Sequence, residues 1–153
     1  MSMRPQLARP ALALAMLILA SAAGAAGNDF PKLKPGEWEF TRQGFNGPAN
    51  AQNLSVRECI DPAQSMREQN AMLAQAGCRF DPVQAAGNVY TYAAQCDIPS
   101  VGKTRSVSVL TRQSDTAYTV KVDSEGEING KPMKTSELLT ARRVGNCKVP
   151  KSR

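Results

Sequence analysis

Apolar residues recur at every second position in several stretches beyond Pro35, and one helical interval interrupts that period. Trp38 and Phe40 alternate with polar neighbours across Glu37 to Thr41, which predicts a half-buried strand after the Pro35-Gly36 turn. Gln43 to Asn53, with its glycines, Pro48 and asparagines, reads as a loop, and Leu54-Ser55-Val56 leads a second short strand into Cys59. Beyond Cys78 the pattern predicts strands over Arg79 to Val83 and Val89 to Cys96, joined through Ala85-Ala86-Gly87-Asn88 as a hairpin. Lys103 to Arg112 follows, and Gln113-Ser114-Asp115 supplies a turn. Tyr118, Val120 and Val122 then alternate against Thr119, Lys121 and Asp123, the cleanest pattern of one buried face. Asn129-Gly130 marks another tight turn, and Pro132 to Val144 is the last strand, its facing blurred by Leu138-Leu139.

The helical interval is Asp61 to Gly77. Asp61 offers an N-cap acid, Pro62 suits the first helical position, and Gln64 stands where a capping box places its glutamine. Good helix formers continue to Gln75, Gly77 fits a left-handed cap, and Ala63, Met66, Leu73 and Ala74 supply a partial apolar stripe interrupted by Asn70. Short connections between successive strands favour antiparallel neighbours, because parallel ones need long crossovers. The expected fold is α+β and mainly β: a curved antiparallel meander of about six or seven strands with one α-helix.

The segment before this domain changes its setting. Met1 to Pro10 carries Arg4 and Arg9 and no acid, Ala11 to Ala20 is an unbroken apolar run, and Ser21 to Gly27 is built of small residues. That order is the order of a secretory signal peptide. Its apolar core falls short of the roughly 20 residues that span a bilayer, so no stable membrane anchor is expected. Residues 1–26 are read as the signal peptide and 27–153 as one exported β-rich domain, soluble after cleavage.

Among 153 residues there are 19 Lys and Arg against 13 Asp and Glu. Loss of Arg4 and Arg9 with the leader leaves 17 against 13, a net charge of +4. The basic residues are spread along the chain, with no stripe and no aromatic platforms of the kind that bind nucleic acid. They read as a solubilising surface.

Cys59, Cys78, Cys96 and Cys147 all lie in the exported part, and an even count in an oxidising compartment implies two disulfides. A zinc site is disfavoured by the absence of any C-x-x-C pair and of histidine. A helix of about 22 Å would hold Cys59 and Cys78 apart, since each connecting residue reaches only about 3.5 Å. Cys78 and Cys96 instead fall on opposing strands at matched distances from Gly87-Asn88. This favours Cys78 with Cys96 and Cys59 with Cys147 slightly over the alternative, Cys59 with Cys78 and Cys96 with Cys147.

Lys34-Pro35-Gly36-Glu37-Trp38-Glu39 near the start of the domain, four spaced cysteines and the closing Arg143-Val144-Gly145-Asn146-Cys147 together resemble an exported bacterial family, the domain of unknown function 3617. The resemblance covers the whole exported part. It implies a periplasmic setting in Gram-negative bacteria and supplies no catalytic or ligand-binding residues, because the family's activity is itself unsettled.

Chemistry-bearing patterns are sparse. With no histidine, serine-histidine and cysteine-histidine mechanisms are excluded. Ser106 or Ser136 could meet a lysine in space, but both occupy polar strand positions that need no such explanation. Asp123, Glu125 and Glu127 alternate beside Gly126 and read as a solvated strand edge rather than a calcium site. Arg142 and Arg143 read as neighbours in a strand, one facing solvent and the other covering the sheet. No catalytic residue, metal or cofactor is expected. Trp38, Tyr90, Tyr92 and Tyr118 are the candidates for a ligand face, with core packing as the simpler assignment. The function expected from the sequence is a non-enzymatic binding or envelope-maintenance protein, holding a small apolar or amphiphilic ligand on a concave sheet face. The alternative is a module that binds an envelope protein, such as an inhibitor of a cell-wall-degrading enzyme, through a loop like Gly44 to Gln52.

Overall fold

The computed structural model describes residues 29–44 and 54–148. The leader assigned to residues 1–26 and almost all of the loop from Gly44 to Gln52 lie outside the described residues. In chain order the elements are β1 (Gly36–Gly44), β2 (Leu54–Ile60), α1 (Pro62–Gln75), β3 (Cys78–Phe80), β4 (Gln84–Ala86), β5 (Val89–Ile98), β6 (Gly102–Arg112), β7 (Ala117–Ile128) and β8 (Lys131–Gly145). Eight antiparallel strands form one sheet in the order β2-β1-β8-β7-β6-β5-β3, and β4 also pairs with β5. The architecture is mainly β, with one helix and two disulfides.

From β5 to β8 the chain is a simple meander. The first strand then lies on the far side of the last, with Phe40 opposite Ala141 and Thr41 opposite Thr140. The edges are therefore β2 at one end and the short β3 and β4 at the other, and α1 connects them.

The strand expected over 79–83 ends at Phe80, and a separate short strand, β4, takes in Ala85 and Ala86 from the expected hairpin loop. Asp81 still donates its N–H to the Ala93 carbonyl oxygen at 2.9 Å, but Pro82 has no N–H to give a ladder, and the pairing breaks there before β4. Val83 is buried there against Phe30 and Ala63. The Gly87-Asn88 turn joins Ala86 to Val89 as direct partners.

Asp61 caps α1 through its carboxylate, which accepts from the backbone N–H of Ala63 at 3.1 Å and of Gln64 at 3.2 Å. The reciprocal half of a capping box does not form, because the Gln64 amide donates instead to Glu68 at 2.7 Å. Ala63 is buried and Met66 and Leu73 are half-buried, whereas Ala74 is exposed and Met72 is 64% exposed. Only the first half of the helix is seated firmly.

Register sorts the side chains by face. Trp38, Phe40, Ala141, Leu139, Tyr118, Val120, Leu110, Tyr90 and Tyr92 occupy cross-strand rows on one face, and this face carries the core. Leu33 and Phe30 belong to a lead-in with no strand pairing, yet both are buried. The Leu138-Leu139 ambiguity resolves cleanly: Leu139 lies opposite Val120 on the core face, and Leu138 lies opposite Lys121 on the other.

Cys78 and Cys96 are direct partners across β3 and β5 and form one disulfide. Cys59 bridges to Cys147, with Cα atoms 5.5 Å apart, and ties edge strand β2 to the segment following β8. These are the pairings the helix-length argument favours.

Candidate functional site

The four aromatic residues proposed to line a ligand face come together, but as the core of the domain. Trp38 is fully buried, Tyr118 is 2% exposed, and their rings lie 5.5 Å apart in a tilted arrangement. Tyr90 and Tyr92 are half-buried against both hydrophobic clusters, and Phe30 meets Tyr92 edge-on at 5.1 Å. Leu33, Phe30, Val83 and the first half of α1 pack over these rings, an arrangement that fits the simpler assignment of the four aromatics to the core. Burial also raises the pKa of both the Tyr118 and Tyr92 phenols above the ordinary value.

Open space is found on the opposite face. A cavity of about 660 Å³ lies where β3, β5, β6, β7 and β8 run side by side, lined by Arg79, Gln95, Arg105, Glu125 and Lys134 among others. A second cavity of about 400 Å³ adjoins it and shares Arg105, Glu125 and Lys134. None of the four aromatics lines either one. Gly126 gives the first cavity part of its shape. Its φ is +151°, and a Cβ there would lie 2.2 Å from the carbonyl oxygen of Lys103 and 2.7 Å from the Cα of Thr104, so only glycine lets β6 and β7 approach this closely.

Asp123, Glu125 and Glu127 do not mark a strand edge. They lie on β7, which is paired on both sides, and each has a neighbour on β8 and on β6; Glu125 stands between Arg105 and Lys134. Asp123 accepts from the Ser136 hydroxyl at 2.6 Å and pairs with Lys121 at 3.1 Å, which together hold its carboxyl below the ordinary pKa. Among the described residues no group of three or more potential metal ligands converges. Ser106 shares a hydrogen bond with Ser124 at 2.7 Å, so the partners of Ser106 and Ser136 are a serine and an aspartate rather than lysines.

The opening and closing motifs meet in space. The Arg143 guanidinium donates through Nε to the carbonyl oxygen of Pro35 at 2.9 Å and through a second nitrogen to Asn146. Gly36 has a φ of +154°, and a Cβ on it would lie 2.5 Å from both the Arg143 Nε and the Gly145 carbonyl oxygen. Trp38 follows Glu37 on the same strand, and Cys147 closes the disulfide to Cys59. Residues 33–147 match the family described as a protein of unknown function, DUF3617. The chain belongs to this family. In this chain the two motifs form a structural clamp, in which a proline-glycine turn, a buried tryptophan and an arginine before the final cysteine hold the first strand against the last. No curated protein and no solved structure matches the chain.

Arg142 faces the other side from Arg143. It donates to Glu39 at 2.9 Å, and Arg57 reaches the other oxygen of the same carboxylate at 2.9 Å. The hydrogen bond from Arg142, then that from Arg57, lowers the Glu39 pKa. These charges fasten β1 to its two neighbouring strands.

The row of residues in the larger cavity escaped the sequence reading. Each is an unremarkable polar position in its own strand, and only the register places five of them side by side.

Proposed function

We propose that this DUF3617 protein is exported to the periplasm and acts there as a non-catalytic binding module that receives its ligand on the polar cleft, not in the sheet interior. One observation carries the reading: the core face is filled by its own aromatics and aliphatics, while the opposite face keeps a cavity of about 660 Å³ with charged side chains around it. That volume falls within the range of small-molecule sites. The export part rests on the leader-like sequence of residues 1–26 and on four cysteines that are all used in disulfides. The non-catalytic part rests on the lack of histidine and on serines partnered without lysine.

Native mass spectrometry of protein released gently from the periplasm, paired with chemical footprinting of arginines and carboxylates, tests this. An adduct that protects Arg105 and Glu125 supports the reading. Bare protein whose cleft side chains react freely contradicts it.

A protein-interaction role is the second reading, and the edge strand favours it. Ser55 to Cys59 of β2 are all exposed, Val56 to 50%, and one backbone edge of this strand has no partner among the described residues. If the partner is a cell-wall-degrading enzyme, the protein inhibits a lysozyme-type muramidase and Val56→Lys relieves the inhibition. Full muramidase activity in the presence of excess wild-type protein contradicts it.

A further inference from the structure

Lys134, Glu125, Arg105, Gln95 and Arg79 are successive cross-strand partners on β8, β7, β6, β5 and β3. Neighbouring strands lie about 4.8 Å apart, so this row places a cation at its first, third and fifth positions at intervals of about 10 Å. All five residues line the larger cavity. Charges around the row cancel elsewhere: Lys103 pairs with Asp97 at 3.1 Å, and Asp123 with Lys121 at 3.1 Å. Among the described residues Arg79, Arg105 and Lys134 belong to no ion pair. Of the lining groups, Arg79, Lys103, Arg105 and Lys134 oppose Asp97 and Glu125, an excess of two positive charges.

Unpaired guanidiniums at a surface cavity are suited to carboxylate and phosphate, which they bind in forked geometry. Gln95 stands between Arg79 and Arg105 and brings amide donors of its own. Glu125, between Arg105 and Lys134, is an acceptor and repels a second anion. We propose that the cleft is an acid-binding site: one carboxylate or phosphate group of a small soluble ligand lies over Gln95 between Arg79 and Arg105, and a hydroxyl or ammonium donor on the same ligand meets Glu125. The ligand class is a small hydrophilic acid such as a sugar acid or a phosphorylated sugar. This rests on the cleft being the binding surface and adds the chemistry of what it takes.

The test compares glucuronate and a hexose phosphate with glucose, which lacks the acid group, by NMR titration of the disulfide-bonded protein at low salt. Saturable shifts at the amides of Gln95, Thr104 and Glu125 with both acids and none with glucose are expected. Arg105→Gln weakens the acids at least tenfold with an unchanged spectrum elsewhere, and Lys32→Gln, an exposed cation remote from the row in sequence, leaves them unaffected. Equal binding of glucose and the acids at the cleft overturns the acid inference while leaving the binding-surface reading intact. No saturable shift at the cleft with any of the three probes overturns the acid inference, and the binding-surface reading is then decided by native mass spectrometry and footprinting. Shifts spread over all basic residues, reduced equally by Lys32→Gln, show charge screening rather than a site and overturn the inference. So does binding to anionic phospholipid vesicles without any cleft response to the soluble acids.

Discussion

The indole N–H of Trp38 donates to the carbonyl oxygen of Lys34 at 3.0 Å, and this bond folds the lead-in back over the strand it precedes. Lys34 is held on its other side by its own N–H, which donates to the carbonyl of Asp115 at 2.7 Å. The pair fixes Leu33 and Phe30 over the sheet and closes the interior. Trp38→Phe keeps most of the buried ring and loses the bond, so it is expected to cost about 1–2 kcal/mol. Trp38→Ala opens a large cavity and is expected to cost about 3–5 kcal/mol. Urea unfolding followed by circular dichroism measures both, since the sole tryptophan cannot report on its own removal.

The two disulfides differ in what they constrain. Cys59 and Cys147 are separated by 88 residues and Cys78 and Cys96 by 18. In the chain-entropy account, closing the longer loop stabilises by about 4–5 kcal/mol and the shorter by about 3 kcal/mol. Replacing both Cys59 and Cys147 by alanine should therefore lower the denaturant midpoint more than the same change at Cys78 and Cys96. Equal losses would show that the bridges act through native-state contacts instead.

Burial of Tyr92 and Tyr118 gives stability a dependence on alkaline pH. Both phenols have folded pKa values above the ordinary 10.0, so the folded state holds these protons more tightly than the unfolded chain. The associated stability is complete below about pH 10 and is lost as pH rises toward the folded values. Phenolate absorbance should appear for these two residues only together with loss of the near-ultraviolet dichroism of the fold. Their ionisation in a still-folded protein would contradict the closed core.

Much of this fold is legible in the sequence because its cues are local. The alternation around Tyr118, Val120 and Val122, the Asp61-Pro62 cap and the Gly87-Asn88 turn each act within a few residues, and the structure contains all three elements. Placement of β1 beside β8 is not local: Phe40 and Ala141 meet across a hundred residues, and no short pattern encodes that partner. Phe30 and Leu33 were hidden for a related reason, since a lead-in with no period gives no sign that it crosses a core face. The core role of the aromatics follows from supply. A domain with so few aromatics commits Trp38 and Tyr118 fully to its interior. Arg79, Arg105 and Lys134 come into one row only when five strands align.

Glu39 contributes to the acid limb, as does Asp123. Hydrogen bonds from Arg142 and Arg57 hold its folded pKa below the ordinary 4.5, so its contribution is complete above that value and is lost as pH falls through the folded pKa. Glu39→Gln should flatten this part of the stability curve and leave Arg57 and Arg142 facing each other without the charge between them. Thermal unfolding of both proteins from neutral pH down to about pH 3 compares the slopes. Parallel slopes would assign the acid dependence to other carboxylates.

Everything proposed about the role of this DUF3617 protein depends on its maturing outside the cytosol. The intact mass of the unreduced protein, isolated from the periplasmic fraction of its native host, decides this. Export with full pairing gives the mass of residues 27–153 less four hydrogens, and proteolysis without reduction yields a fragment linking Cys59 to Cys147. Recovery of the full 153-residue chain from the cytosol with four thiols that react with alkylating reagent would contradict it.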